Sequence, residues 1–361
     1  MSQSTGPLEG LKVIEMVGIG PGPHCAMLLA DLGAEVIRFD RPGGNGWPNP
    51  IVDRGRHTLV ADISKTQGRD LCAAAAQKAD VLIEGFRPGV MEKHKLGPED
   101  LMVLNPRLIY ARMTGWGQSG PLAHRVGHDI NYIGLTGALA AMATSEGPAR
   151  PPLNLVGDFG GGSMLLAFGI MAALWERNRS GAGQVVDAAI VDGVSSLMTM
   201  FAGLLPSGAI SVDADRGVLN GAAPFYRAYR CADGLDVSIG ALEPRFYETF
   251  IAKIGAPREF LNEQNNVENW KERSKIIASL FATKTRAQWC EILENTETCF
   301  APVLTLEEAQ NDAHLLERGT YVDVHGAVQC APVPQFSRTP GTIRTTGTGE
   351  DALRRWGVAV P

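Results

Sequence analysis

The sequence lacks a paired cysteine motif. Its six cysteines, Cys25, Cys72, Cys231, Cys290, Cys299 and Cys330, stand far apart with no C-x-x-C among them. That spacing suits neither a zinc site nor a compact disulfide framework, so reduced thiols are the expectation. A basic run is also missing: 33 Lys and Arg face 39 Asp and Glu, for a net charge of -6. General affinity for nucleic acid or a membrane surface is therefore not expected, and an anionic ligand would need local cations. No uninterrupted apolar run reaches the ~20 residues needed to cross a bilayer. The N-terminal MSQSTGPLEG has neither a charged n-region nor an apolar h-region, which makes a cytoplasmic location the expectation. Internal repeats and low-complexity segments are absent too.

What remains is ordinary globular material. Hydrophobic residues make up 45% and charged residues 20% of 361 positions, enough for a core and long enough to suggest two domains. The first stretch predicts a β-turn-α-β unit: a strand LKVIEM (Leu11 to Met16), a turn GIGPGP, a helical pattern over 24–32, and a strand EVIRFD (Glu35 to Asp40). Further strands are expected at HTLVAD (His57 to Asp62), VLIE (Val81 to Glu84) and LIYARM (Leu108 to Met113), with a helix over 64–78. Alternation of this kind implies an α/β fold with a parallel sheet covered by helices, whose ligands bind beyond the carboxyl ends of the strands. Arg41, in DRPGG, and Gly85-Phe86-Arg87, in EGFRPGV, fall at such ends. A guanidinium stays charged and can bind phosphate bidentately, so Arg41 and Arg87 form a candidate phosphate patch.

Three motifs compete for chemistry in this half. Gly18, Gly20 and Gly22, with Asp40 at the end of the second strand, resemble a dinucleotide fingerprint, which would make the chain a nicotinamide-dependent dehydrogenase. Pro21 and Pro23 argue against that, because neither offers an N–H to a pyrophosphate. GWGQSGP (Gly115 to Pro121) lacks the full nucleophile-elbow pattern, so Ser119 belongs to a turn. His124, His128 and Asp129 have no companion cluster that would make them metal ligands, and no metal site is expected.

The remaining constellation is GHDINY (Gly127 to Tyr132) followed by LVGDFGGGSM (Leu155 to Met164). It supplies His128, a side chain suited to take or give a proton near neutrality, and Asp158. The pair suggests proton transfer at carbon. Asp158 and Gly160-Gly161-Gly162 precede an apolar run, Ser163 to Trp175, that predicts a buried helix. Its N-terminal N–H groups and dipole would suit an oxyanion, although Asp158 as a plain N-cap is the simpler reading.

Beyond a strand GQVVDAAI (Gly183 to Ile190) and a helix over 194–205, composition predicts a linker over 206–223 and a second domain from Pro224. A hairpin around Ala232-Asp233-Gly234 opens it, with helices over 246–253, 270–282 and 286–295. The tail from Val322 onward is expected to be extended. Glu243 precedes Pro244 and reads as a helix start.

GHDINY, LVGDFGGGS and GQVVDAAIVDG (Gly183 to Gly193) together resemble the α-methylacyl-CoA racemases of the family III CoA-transferase superfamily over nearly the whole chain. The resemblance implies an interlocked homodimer of the family III fold. Each chain would have a large Rossmann-like domain over 1–205, a linker over 206–223, a small α+β domain over 224–318, and a C-terminal segment over 319–361 that returns to the large domain. It implies an epimerase for 2-methylacyl-CoA thioesters, with His128 and Asp158 as the two bases and Glu243 beside the histidine. No cofactor would be needed beyond the CoA of the substrate itself. The implied CoA contacts are Arg41, Ala61, Asp62, Ile63, Ser64, Gly85, Phe86, Arg87 and Lys93, with Gly127, Asp129, Ile130, Asn131 and Tyr132. The sequence departs from the family at Glu92-Lys93-His94-Lys95 and at Arg54-Gly55-Arg56-His57, which leaves the phosphate end open. The alternatives within reach are a family III CoA-transferase with Asp158 as nucleophile and a non-catalytic CoA-binding protein.

Overall fold

The computed structural model describes residues 6–44, 46–145, 147–345 and 347–360; the first residues of the N-terminal stretch read above lie outside these. The chain divides into two compact units, Met1–Thr136 with Pro152–Leu197 and Gly319–Pro361, and Gly137–Pro151 with Met198–Arg318.

The first unit is built on β1 (Lys12–Met16), α1 (Pro21–Asp31), β2 (Glu35–Asp40), β3 (Arg56–Val60), α2 (Thr66–Ala76), β4 (Val81–Glu84), α3 (Pro98–Leu104) and β5 (Ile109–Thr114). Next come α4 (Asp129–Leu135), a π-helix (Leu155–Met164) that runs directly into α5 (Leu165–Ser180), β6 (Val185–Ala189) and α6 (Ile190–Leu197). Strands β1 and β4 at the centre are nearly continuous apolar runs, as a sheet covered on both faces requires. Val13, Ile14, Val81, Leu82 and Ile83 are all buried. Strands β1 to β6 pair in the order β3-β2-β1-β4-β5-β6, all parallel. The order reverses direction at β1 and β4, and in open sheets ligands bind at that switch point.

The pairing puts Glu15 of β1 opposite Arg38 of β2. Both side chains are buried, and Glu15 Oε2 also accepts from Arg56 Nε at 3.0 Å. The remaining guanidinium nitrogens of Arg56 donate to the carbonyls of Val52, Arg54 and Pro23. Arg54 pairs with Asp31 and reaches Gln329 Oε1 at 2.7 Å. A buried charge is tolerated only when paired in this way, so the Arg54-Gly55-Arg56 segment is tied into the interior and holds no free cation for a phosphate.

The second unit carries a three-stranded antiparallel sheet of β7 (Tyr226–Arg230), β8 (Asp236–Gly240) and β9 (Phe300–Pro302), with α7 (Pro244–Ile254), α8 (Trp270–Phe281) and α9 (Arg286–Leu293). Its core is aromatic: Tyr229 stacks on Phe281 at 5.1 Å, Trp289 tilts against Phe281 at 4.9 Å, and Phe225 meets Tyr247 edge-on at 5.5 Å. The expected hairpin is present as β7 and β8, joined through Ala232-Asp233-Gly234.

Three expectations need correction. Residues 137–151 and 198–205 group with the second unit, and the helical pattern expected over 194–205 is interrupted: one helix ends at Leu197 and a separate one, Thr199–Leu204, begins. The tail is not simply extended: Tyr321–Val324 and Ala327–Cys330 pair as β10 and β11, Gly347–Thr348 adds β12 beside β3, and α10 (Gly349–Arg355) follows. There Arg355 and Trp356 both bond Glu35 of β2. The helix expected to be buried is only partly so, with Met164, Phe168, Met171 and Trp175 at 52, 71, 41 and 72% exposure. By length and composition Leu155–Ser180 would suffice to cross a membrane, although no single apolar run in it is that long.

Candidate active site

Two adjoining cavities lie at the carboxyl ends of the first unit's strands. The first, about 540 Å³, is lined by Arg41, Ala61, Asp62, Ile63, Ser64, Gly85 and Phe86, with His94. The second, about 910 Å³, is lined by Arg87, Gly127, His128, Tyr132 and Asp158. Gly18, Pro21, Trp47, Gly85, Phe86 and Met113 border both, so the two are lobes of one cleft.

The first lobe is shaped by turns at strand ends. Asp62 Oδ1 accepts the Ser64 N–H at 2.9 Å and its hydroxyl at 2.6 Å, an Asx turn that ends β3 and carries the chain over the cavity. Those bonds hold the Asp62 carboxyl below its usual range. Arg41 is exposed and braced by Nε donating to Gly44 O at 2.8 Å. Behind Gly85 and Phe86, the buried Glu84 accepts from the Phe86 N–H and from Arg112 Nε, both at 2.8 Å. Burial pushes the Glu84 carboxyl up to about 7 against the pull of Arg112.

The second lobe holds the expected pair. His128 stands at the N-cap of α4, where its N–H is received by Asn131 Oδ1 at 3.0 Å, and its ring is exposed to the cavity. Tyr132, one turn on, is braced by its hydroxyl on Gly127 O and by an edge contact with Trp116 at 4.7 Å. Asp158 sits within the π-helix, half-buried. Its proton affinity is raised first by burial; Asn154, whose amide donates to Oδ2 at 3.3 Å, works against this, the Asp129 charge adds to it, and His128 opposes it. Burial therefore outweighs the bonds that favour the carboxylate, and Asp158 retains its proton to higher pH than an ordinary aspartate.

Several sequence expectations are redistributed. The glycine of the β1–α1 turn that suggested a pyrophosphate site faces the Asp158 carboxyl instead: a Cβ on Gly20 would lie 3.1 Å from Asp158 Oδ2. Asp158 is not an N-cap, and its own N–H is bonded by Asp129 Oδ2 at 2.7 Å. The Phe159 N–H is taken by Asn154 O. Neither is left to hold an oxyanion. The glycines serve packing, because a Cβ on Gly193 of α6 would meet Gly161 O at 1.9 Å. Lys93 is exposed and lines neither lobe, whereas His94 does; Asp129, Ile130 and Asn131 also lie outside both linings. Arg41 borders the first lobe and Arg87 the second. Glu243 belongs to the second unit, where it is exposed at the N-cap of α7 and makes no cap bond with its side chain.

Sequence reasoning missed His24. Its Nδ1 pairs with Ser163 Oγ at 2.7 Å and its ring stacks on Phe159 at 4.5 Å, pinning the π-helix to α1 on both sides of the glycines. Burial, with Arg56 and Arg54 nearby, lowers its pKa and keeps the ring neutral. A histidine in an apolar helical pattern carries no local signal of such a contact.

Residues 8–351 match CoA-transferase family III. Alpha-methylacyl-CoA racemase of Mus musculus is 42% identical over 357 residues, 97% of this chain and 93% of that protein. The Homo sapiens protein of the same name is 44% identical over 337 residues, 92% of this chain and 87% of that one. Among solved structures, a CAIB/BAIF family protein from Brucella suis superposes with a TM-score of 0.83 at 25% identity, covering 98% of this chain and 99% of that chain. With its parallel sheet, its cleft at the strand ends and these matches over nearly its full length, the chain belongs to CoA-transferase family III.

Proposed function

We propose that the protein is a racemase that interconverts the epimers of 2-methylacyl-CoA thioesters by proton transfer through an enolate. The observation that carries this reading is that His128 and Asp158 line one cavity, with the proton affinity of Asp158 raised by burial. A thioester makes the hydrogen at carbon 2 removable, and inversion needs a base on each face. In one direction the neutral imidazole of His128 takes that proton while the protonated carboxyl of Asp158 delivers its own to the other face; the reverse direction exchanges the roles. A carboxyl with an ordinary pKa would hold too little proton near neutrality to serve as the acid. The two relatives named alpha-methylacyl-CoA racemase support the same reading.

In this reading the CoA lies along the first lobe, with its phosphates drawn to Arg41 and its pantetheine past Ala61 to Ser64 and Gly85-Phe86, so that the thioester enters the second lobe. Glu243 orients His128 once the second unit, from the same chain or from a partner, is brought to it. The working form is a homodimer; the exposed apolar face of Met164, Phe168, Met171 and Trp175 is the kind of surface a second copy would cover.

Each epimer of a 2-methylacyl-CoA, supplied separately without added cofactor, should converge on the same mixture. An isotope-labelled free carboxylic acid added to the reaction should stay free. Entry of the label into the thioester, dependent on Asp158, would instead establish a CoA-transferase with Asp158 as nucleophile.

A further inference from the structure

Asp129 follows His128 directly but lines neither lobe of the cleft. It is buried to 8% exposure, and its Oδ2 accepts the Asp158 N–H at 2.7 Å. The chain leaves room for this bond: a Cβ on Gly157 would stand 2.2 Å from Asp129 Oδ2 and 2.7 Å from its Cγ. The other oxygen, Oδ1, is buried with no hydrogen-bond partner among the described residues. A bare buried carboxylate oxygen is costly, and a neutral amide could accept one N–H without placing a charge there. The charge itself is what calls for an explanation.

The elements packed against the π-helix bring few other charges to Asp158. From α1 come His24, spent on Ser163 and Phe159, and Asp31 at its far end, paired with Arg54. From α4 and its N-cap come Asp129, His128 and the Tyr132 hydroxyl, which is bonded to Gly127 O. On α5, Arg177 is paired with Asp80, Glu176 accepts from the Ser180 hydroxyl and Arg179 is exposed, all in its last turns; on β5, Arg112 is paired with Glu84 and Glu92. On β6, Asp187 receives the Gln118 N–H, and Asp192 of α6 is exposed. Asp53, Arg87 and Arg125 line the same lobe, Asp53 paired with Arg38, and the charges that act on the Asp158 carboxyl are those of Asp129, which raises its proton affinity, and His128, which lowers it.

We propose that Asp129 is a positioning residue for Asp158, holding its main chain through a charged acceptor whose field acts on the Asp158 carboxyl. The proposal rests on the racemase reading and adds to it a division of labour between adjacent residues: His128 faces the substrate, and Asp129 sets the opposing acid. A like charge beside a carboxyl favours its protonated form, the form in which Asp158 must deliver a proton. It also makes Asp158 a stronger base when the direction reverses.

The test compares Asp129→Asn and Asp129→Ala with the wild type in three readouts: kcat and KM for epimerisation, the pH profile in each direction, and amide hydrogen exchange over 155–164. Asp129→Asn keeps an acceptor and loses the charge. It should retain exchange protection and KM, while the limbs set by Asp158 move to lower pH in both directions. Asp129→Ala loses the acceptor, so exchange at Asp158 should quicken. Its kcat should fall about 100-fold, the cost of a misplacement of about 1 Å, with little change in KM. Unshifted limbs in Asp129→Asn, or wild-type exchange and kcat in Asp129→Ala, would overturn the proposal. If Asp129→Ala does not fold, the Asp129→Asn profile decides. If the wild type fails to epimerise, the racemase reading falls, and exchange in the variants still decides whether Asp129 holds Asp158.

Discussion

Gly20 gives a prediction whose size can be worked from two numbers. Its φ is +73°, and a Cβ there would stand 3.1 Å from Asp158 Oδ2 and 3.5 Å from Cγ. Gly20→Ala therefore does two things. It places a side chain in a backbone conformation that side chains rarely adopt, φ +73° with ψ -123°, at a cost of about 1–3 kcal/mol, and it presses a methyl against the Asp158 carboxyl. The carboxyl has to give way by a few tenths of an ångström. With a displacement of about 1 Å costing roughly 100-fold in rate, the expected loss is on the order of 3- to 10-fold in kcat. Gly10 supplies the control: its φ is +86° and nothing lies within 4 Å of its Cβ position. Gly10→Ala shares the positive φ but not the contact, so it should lower Tm by roughly 2–8 °C with kcat unchanged. Thermal melts and steady-state epimerisation kinetics on both variants measure the two effects separately. Equal kcat in Gly20→Ala and Gly10→Ala would show that the turn does not set the position of Asp158.

Other expectations follow from the same geometry. His128→Ala and Asp158→Asn should each lower epimerisation by about 10²- to 10⁴-fold while CoA still binds, measured by steady-state rates and by titration with CoA. Arg41→Ala should raise KM more than it lowers kcat, and the difference should shrink as salt is added, because an exposed charge is screened; an unchanged KM removes Arg41 from the phosphate site. Arg56→Met leaves Glu15 buried beside Arg38 alone, and denaturant melts should show a loss of about 3–5 kcal/mol; a weakened, salt-sensitive KM at wild-type stability would instead place Arg56 in the phosphate site. Glu84, held at about 7 when folded, binds more protons in the native than in the unfolded chain between its ordinary value and pH 7. Its contribution to stability is therefore present at low pH and lost as pH rises through 7. Glu84→Gln should flatten that part of the stability profile, and a profile identical to wild type would contradict the assignment.

The strands were legible because their signal is local. EVIRFD and VLIE are apolar, β-branched runs between turn residues, and β2 and β4 begin and end where that pattern does. His128 and Asp158 were legible as chemistry because each stands among small residues. Contacts made at a distance were not. Arg54 and Arg56 look like surface cations in a basic segment, and only the register that brings Glu15 and Asp31 beside them shows that they are buried. The π-helix was hidden for another reason. Its residues are apolar and small, a composition shared by an α-helix or a loop, and what distinguishes it is packing against α6 so close that Gly161 and Gly193 nearly touch. The resemblance implied ligand contacts for the whole GHDINY block, but it does not show which way each side chain points; here the start of α4 leaves His128 in the cavity lining and Asp129 buried outside it.

The central claim is that His128 and Asp158 exchange the hydrogen at carbon 2 from opposite faces. The direct measurement is incubation of each pure epimer of a 2-methylacyl-CoA in heavy water, with deuterium at carbon 2 followed by mass spectrometry alongside the epimer ratio. Deuterium should enter as each epimer inverts, and both processes should be lost in His128→Ala and Asp158→Asn. Inversion with the original hydrogen fully retained, or inversion that persists in both variants, would contradict the account.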